Sequence, residues 1–384
     1  MEAYLDNSAT TRCSKRVQEI VGKTMDIAYG NPSSMHKKGL EAEQYVREAA
    51  QKIAKTMKVS EKEIIFTSGG TESNNFALIG AAMAHRRSGS RLITTQIEHP
   101  SVLNTMEYLK EQGFEIVYLP VDQTGIVCMD ALREAVNDQT ILVSMMQVNN
   151  EIGSIQPIAD AAAIVHEKRP NALFHVDAVQ SYGKMQIRPK KMGVDLLSVS
   201  GHKIHGPKGI GFLYIKEKTK IKPVLFGGGQ QAGLRSGTHN VPGIAGIGEA
   251  AAEAHEDLEQ KAAYLRSLKE RLIACTAGIE GLVVHGATGQ DSAPHIVSLS
   301  IPGIRSEVML HALEEYDICV SAGSACSSNH PAQLHTLEAL HLEPELIQSA
   351  LRFSFSTHTR MEEIDYATDR LAELTLKLRR YTRR

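Results

Sequence analysis

Between residues 63 and 215 one pattern repeats: a short apolar run, a stretch of helical periodicity, then another apolar run. EIIFT at 63–67 is the first such run, and further strands are predicted at 91–95, 114–119, 140–146, 172–176, 194–199 and 210–215. Helices are predicted among them over 73–87, 101–112, 129–137 and 158–167, preceded by LEAEQYVREAAQKIAKTM at 40–57. Repeated β-then-α units require an α/β fold, a mostly parallel sheet covered by helices on both faces. Beyond residue 225 the pattern changes. Residues 226–243 (FGGGQQAGLRSGTHNVPG) carry too much glycine for regular structure, and one long helical stretch follows from about 243 to 277. Strands near 295–300 and 351–355 then interleave with helices near 305–315, 343–349 and 361–380, which reads as a smaller α+β C-terminal domain. The expected division is a large domain over 16–254 and a small one built from 1–15 and 255–384, the N-terminal segment folding back.

The 384 residues, 42% hydrophobic and 22% charged, supply enough apolar surface for cores of that size. A net charge of −2 leaves no electrostatic footprint for nucleic acid, and no direct nucleic-acid contact is expected. No apolar run approaches the roughly 18 residues of a membrane span. The opening MEAYLDNSATTRCSK lacks the basic and apolar regions of a secretion signal, so the expected address is cytoplasmic. Cys13, Cys128, Cys275, Cys319 and Cys326 are odd in number and widely spaced, and neither a disulfide framework nor a zinc site is expected. Most of them read as small buried hydrophobes. The closing KLRRYTRR reads as the solvated end of a helix, with a docking patch as the alternative.

Three segments carry chemistry. FTSGGTESNN (66–75) lies between a strand and a helix, where paired glycines let backbone N–H groups converge on an anion. It has neither the Lys-Ser/Thr of a nucleotide phosphate loop nor a dinucleotide glycine spacing, so it reads as a phosphate cup or as a capped turn. LFHVDAVQ (173–180) sets Asp177 just past an apolar strand, on the edge of an open α/β sheet where ligands collect. A carboxylate there needs a partner: a protonated pyridine nitrogen, an arginine or a helix end. VDLLSVSGHKIHGPKGIGFLY (194–214) brings Ser198, Ser200, His202 and Lys203 to a strand's end, where Lys203 could form a Schiff base. His202 and His205 lie three apart with no third ligand type beside them, and no metal is expected. A phosphate cup, an Asp for a ring nitrogen and a Lys for an aldehyde are together what pyridoxal 5'-phosphate requires of a protein.

These three segments, with seven others in order, resemble the cysteine desulfurases of the NifS/IscS type, within the class V aminotransferase-like enzymes of PLP fold type I. The others are YLDNSATT (4–11), GNPSSMH (30–36), EHPSV (98–102), VNNEIGSIQP (148–157), GGGQQAGLRSGT (227–238), SAGSACSS (321–328) and RFSFS (352–356). The resemblance implies an enzyme that removes sulfur from L-cysteine, leaving L-alanine and an enzyme persulfide. It implies Lys203 as the residue bonded to pyridoxal phosphate, Asp177 at the ring nitrogen, His99 stacked on the ring, and Asn150 and Gln180 at the phenolic oxygen. Gly70, Thr71, Ser200 and His202 would hold the phosphate, and Thr238 would reach it from the second subunit of a homodimer. Arg352 would clamp the substrate carboxylate, assisted by Asn31.

Cys326 lies in SAGSACSSNHPAQ, which is small and polar with no helical or strand period, hence an expected exposed loop. Cys319, within YDICV, reads instead as lying on an apolar face. The resemblance makes Cys326 the nucleophile that takes the sulfur, with His99 a candidate base for a thiol that must ionise. The sulfur would pass to an acceptor protein, an iron–sulfur scaffold or a tRNA-thiolation enzyme. Two features depart from the family pattern. Gln231 and Ala232 stand where many relatives carry an acidic-basic pair, and RRYTRR lacks the aromatic-histidine tail with which some IscS-type enzymes engage a scaffold. A selenocysteine lyase or another aminotransferase-like enzyme competes with this reading but has no strict need of a loop thiol. A non-catalytic sulfur carrier would have no need of Lys203 and Asp177.

Overall fold

The structure, a computed structural model, describes residues 1–322 and 336–382. The chain opens with β1 (Ala3–Tyr4), α1 (Lys15–Asp26) and α2 (Lys37–Met57). It then runs through β2 (Ile64–Thr67), α3 (Gly70–His85), β3 (Arg91–Thr95), α4 (Pro100–Glu111), β4 (Glu115–Leu119) and α5 (Met129–Ala135). β5 (Thr140–Met146), α6 (Ile158–Lys168), β6 (Leu173–Asp177), β7 (Leu196–Ser200) and β8 (Gly211–Ile215) complete this part. β2 to β8 form one seven-stranded sheet in the order β2-β8-β7-β6-β5-β3-β4. Neighbours pair in parallel except at β8, which runs against both β7 and β2. The β7–β8 connection is a short glycine-bearing turn rather than a crossover helix, which is why that strand reverses. The other six strands all end on one edge of the sheet.

Successive side chains in these strands enter opposite cores. Ile93, Val143, Leu197 and Phe212 pack on one face with Ile53 of α2. Leu92, Leu142, Leu196 and Leu213 pack on the other with Leu78 of α3 and Met106 of α4. Burial on both faces explains why the strands read as unbroken apolar runs.

After β8 come α7 (Val241–His255), α8 (Leu258–Thr276), β9 (Val283–His285), β10 (Ile296–Ser300), α9 (Ser306–Glu314), β11 (Ile318–Cys319) and β12 (Ser321–Ala322). α10 (Thr336–Ala339), α11 (Pro344–Gln348), β13 (Ala350–Ser354) and α12 (Met361–Thr382) close the described chain. An antiparallel sheet of four strands, β12-β13-β10-β9, holds a third core. Val297, Phe353, Leu268 of α8 and Leu371 of α12 fill it, and Ala3 and Leu5 join them. β1 pairs in parallel with β11, and Asp6 bridges to Ser354.

Several local expectations give way here. The helix expected over 243–277 is two helices, because Asp257 takes a left-handed backbone (φ 49°) between α7 and α8. Residues 226–243 are not wholly irregular: Gln231–Gly233 form a single 3-10 turn and Val241 already belongs to α7. α1, unpredicted, is largely polar, turns Val17 and Thr24 inward, and begins where the Ser14 side chain accepts the Val17 N–H. None of the four described cysteines is fully buried: Cys128 and Cys319 are exposed, Cys13 and Cys275 partly so. Cys319 faces outward because Ile318 before it takes the inner side of β11. Among the described residues no helix is long and apolar enough to cross a membrane.

Candidate active site

The strand ends deliver five loops to one edge of the central sheet. Gly70 and Thr71 follow β2, His99 follows β3, Asn150 follows β5, Asp177 and Gln180 lie at the end of β6, and Ser200, His202 and Lys203 lie at the end of β7. Gly69 has φ 154° and ψ −175°, a conformation open to glycine, and its carbonyl accepts the Ser73 N–H as α3 begins. A Cβ on Gly70 would stand 2.8 Å from Val179 Cγ2 and 3.5 Å from Ser200 Cβ. Bare backbone therefore lets the N-terminus of α3 press against the ends of β6 and β7, with its free N–H groups beside buried Ser200.

A chain of hydrogen bonds crosses this edge. Asp177 is buried; its Oδ1 accepts the Val179 N–H (2.9 Å) and its Oδ2 accepts from Asn74 Nδ2 (2.7 Å). The Asn74 amide also donates to Ser101 Oγ (2.9 Å), which lies 2.9 Å from His99 Nδ1. The Ser101 backbone N–H donates to the same nitrogen (3.1 Å), so Nδ1 is an acceptor. Burial pushes His99 below its ordinary pKa; the Asp177 charge opposes this and the Lys203 charge adds to it. The ring is thus neutral at pH 7 with its hydrogen on Nε2, which makes Nε2 a donor rather than a ready base.

Lys203 closes a one-turn 3-10 helix, Gly201–Lys203, and its Nζ donates to the carbonyls of Ser8 and Ala9, the latter at 2.8 Å. Ser8 O also accepts Gln180 Nε2 (3.0 Å), so the N-terminal segment braces both residues. His202 Nδ1 lies 3.2 Å from Thr10 Oγ1; burial, then the charges of Lys203, Lys208 and Lys184, push its pKa down to about 4. Arg352 of β13 arrives from the smaller sheet. Its Nη1 donates to Asn150 O (3.0 Å), and its Nη2 to Asp6 Oδ1 and Ser321 Oγ (both 2.9 Å). Asn150 thus meets Arg352 through its backbone.

Asn31 and Thr238 stand apart from this cluster. Asn31 is exposed, its Oδ1 accepts the Ser33 N–H (3.0 Å), and among the described residues none of its hydrogen bonds reaches Arg352. Thr238 is exposed on the glycine-rich segment. Arg235 fastens that segment to Glu72 by a two-pronged pair (2.8 and 3.1 Å), and Gln231 pairs its side-chain amide with both backbone groups of Phe66 (2.6 and 2.8 Å). An open groove of about 560 Å³ between α3 and α4 runs past Thr71, His99 and Ser101 to Tyr108. Cys326 lies outside the described residues.

Four residues that the sequence reading passed over hold the site: Asn74, Ser101, Glu98 and Asp6. The first three sit inside FTSGGTESNN and EHPSV, where a polar residue adjoining a buried helix start or strand end was the available signal. Pyridoxal phosphate fits what is present. Each Asp177 oxygen retains a lone pair beyond the bonds described, and Gln180 Oε1 and Ser8 Oγ are buried with no protein partner. Asp177 and Gln180 would hold its ring, Lys203 its aldehyde carbon, and the start of α3 with Ser200 its phosphate.

A lysine, a buried carboxylate and a glycine-lined helix start on one edge of such a sheet define a PLP-dependent enzyme of fold type I. The family model for aminotransferase class V matches residues 3–367. A putative cysteine desulfurase, IscS 1, from Bacillus subtilis (strain 168) is 41% identical over 377 residues, covering 98% of this chain and 99% of that protein. The cysteine desulfurase IscS of Methanosarcina thermophila is 42% identical over 376 residues, covering 98% and 92%. The solved structure of a NifS-like protein superposes with a TM-score of 0.93 at 40% identity, covering 98% of this chain and all of that one. The chain belongs to the class V aminotransferase family, in its NifS/IscS-type branch.

Proposed function

We propose that this chain is a pyridoxal phosphate-dependent cysteine desulfurase that takes sulfur from L-cysteine onto Cys326, releases L-alanine, and passes the sulfur to an acceptor protein. An iron–sulfur scaffold or a tRNA-thiolation enzyme would serve as acceptor. The observation that carries the reading is the convergence of Lys203, Asp177 and the Gly69–Gly70 helix start on one sheet edge, with Arg352 facing it from the smaller sheet. Relatives named cysteine desulfurase support it over nearly the whole chain.

Bound pyridoxal phosphate supplies an aldehyde that captures the substrate amine and a protonated ring that draws electrons from the Cα–H bond. Asp177 keeps the proton on the ring nitrogen, its own position set by Asn74 and Val179. Lys203 Nζ accepts the Cα proton. His99 would face the bound ring as a neutral imidazole and would offer Nε2–H to the substrate sulfur. Arg352 takes the substrate carboxylate. The Cys326 thiolate attacks that sulfur: an S–S bond forms, the C–S bond breaks, and its electron pair stays with the carbon fragment that becomes alanine. Thr238 of a second copy would complete the phosphate site, in keeping with its exposure and with the open groove beside Thr71. Division into 16–254 and 1–15 with 255–384 agrees with the separate core around the smaller sheet. The nucleophile must be a free thiol, which a reducing compartment preserves, and this favours the cytoplasm.

Incubating the purified protein with L-cysteine should release alanine and add the mass of one sulfur to the chain. Cys326→Ser should still change the cofactor's absorbance when cysteine is added, yet release no alanine and gain no sulfur. Alanine at the wild-type rate from Cys326→Ser would overturn the reading.

A further inference from the structure

A second pocket, of about 170 Å³, lies between the turn at Lys203 and the segment after β13, and Lys184, Lys203, His205, Glu253, Lys261 and His358 are among its lining. Its charge is unbalanced. Lys184 Nζ donates to the Lys203 carbonyl (2.7 Å) and Lys261 Nζ to the Glu253 carbonyl; among the described residues neither forms an ion pair with a carboxylate. The carboxylate of Glu253 is engaged elsewhere, its Oε2 accepting the Ser14 hydroxyl (2.5 Å).

His205 stands within reach of both lysines. Its Nδ1 donates to Arg12 O (2.8 Å), which leaves Nε2 for a ligand, and its ring meets His358 edge-on at 4.8 Å. Burial lowers the His205 pKa to about 4, with the charges of His358, Lys184 and Lys261 adding to it and the Arg12 carbonyl opposing. Burial and the neighbouring Lys203 charge bring Lys184 down to about 7, as expected of a cation lacking a counter-ion. Gathering cations away from water without an anion costs free energy that an entering anion would restore.

We propose that this pocket is a binding site for a small tetrahedral oxyanion of the size of inorganic phosphate, held by Lys184 and Lys261, with His205 Nε2 accepting the hydrogen of its protonated oxygen. It is separate from the phosphate cup at the start of α3 and does not depend on the activity proposed above. Calorimetric titration of the cofactor-loaded protein with inorganic phosphate, at ionic strength held constant with chloride, tests it. Constant cofactor absorbance during the titration shows that the cup stays filled. One saturable site per chain is expected, at least tenfold weaker in Lys261→Met and largely restored in Lys261→Arg, with both variants checked for a cooperative melt. Lys184→Met should weaken binding likewise. No saturable binding, or an affinity unchanged in Lys261→Met, would overturn the proposal.

Discussion

The two walls of the cleft are held in opposite ways. On the central-sheet wall, Asp177, Asn74, Ser101 and His99 are joined by successive hydrogen bonds of 2.7 to 2.9 Å, three of the four residues being buried. On the small-sheet wall, Arg352 is tied to Asp6 by an ion pair of 2.9 Å whose side chains are 14% and 19% exposed. A buried hydrogen-bonded network has one arrangement and is costly to break; a part-exposed ion pair can be exchanged for another carboxylate. The difference matches two kinds of occupant, a resident cofactor that needs a preset frame and a substrate that must enter and leave.

The sharpest way to break that contrast is Asp177→Asn. The amide preserves the shape of the buried chain but carries no charge to hold a ring-nitrogen proton. Turnover should fall by about 100-fold or more while the protein keeps its fold and melting behaviour. Alanine formation at an unchanged rate would mean that the frame on this wall does not set the chemistry.

Glu98 tests the depth of the same wall. Its Oε1 accepts both the Thr95 hydroxyl (2.7 Å) and the Met146 N–H (2.8 Å), while Oε2 is buried with no partner. Met146 is the cross-strand neighbour of Asp177. Burial, with the Asp177 charge adding, raises the Glu98 pKa to about 8. Between about pH 4.5 and that value the folded protein keeps a proton that the unfolded chain has lost, so stability falls as pH rises through the window. Glu98→Gln has no such proton. Its stability relative to wild type should improve from pH 5 to pH 9 by a few kcal/mol, at about 1.4 kcal/mol per pH unit. Denaturation midpoints at the two pH values measure this, and a constant difference would show that the carboxyl is ionised throughout.

The two walls also differ in how far the sequence revealed them. The central sheet was legible because strands buried on both faces leave apolar runs that little else produces, and its edge residues follow those runs directly. Asp177, Lys203 and Gly70 were readable for that reason. Asn74, Ser101 and Asp6 were not, because their partners are distant along the chain: Asn74 bonds a residue 103 positions away and Asp6 one 346 away. The break at Asp257 escaped notice because an aspartate in left-handed backbone leaves the helical period on either side intact. The cysteines misled because residue type alone says little about which side of a two-residue strand faces in. Cys319, exposed as it is, remains a poor nucleophile: partial burial and the charges of Glu2, Glu314, Asp6 and Asp317 all raise its pKa.

On the exchangeable wall the larger effect belongs to Arg352→Lys. Lysine keeps the charge but cannot make the two-pronged bond to a carboxylate. The lost charge-assisted hydrogen bond predicts a KM for cysteine about 10- to 100-fold higher, with kcat changed far less. A fall in kcat at constant KM would place Arg352 with the frame rather than with the clamp.

Asp6→Asn is the finer test, because it asks whether the clamp is pre-occupied. In the structure Asp6 Oδ1 accepts from Arg352 Nη2 and from the Ser321 hydroxyl (2.8 Å), so it occupies a face of the guanidinium that a substrate carboxylate would want. Arg352 Nε, buried and without a protein partner, marks the side left for the incoming group. Removing the Asp6 charge leaves the amide oxygen as an acceptor and keeps the side-chain volume, but weakens its hold on the arginine. A part-exposed pair of this kind contributes roughly 0.2–1 kcal/mol, so its release should lower the KM for cysteine by up to about fivefold and leave kcat nearly unchanged. Raising the salt concentration should narrow the gap between variant and wild type, since screening weakens the wild-type pair as well. If KM rises instead, Asp6 serves to aim the guanidinium rather than to compete for it, and the small-sheet wall is preset in the same manner as the cofactor wall.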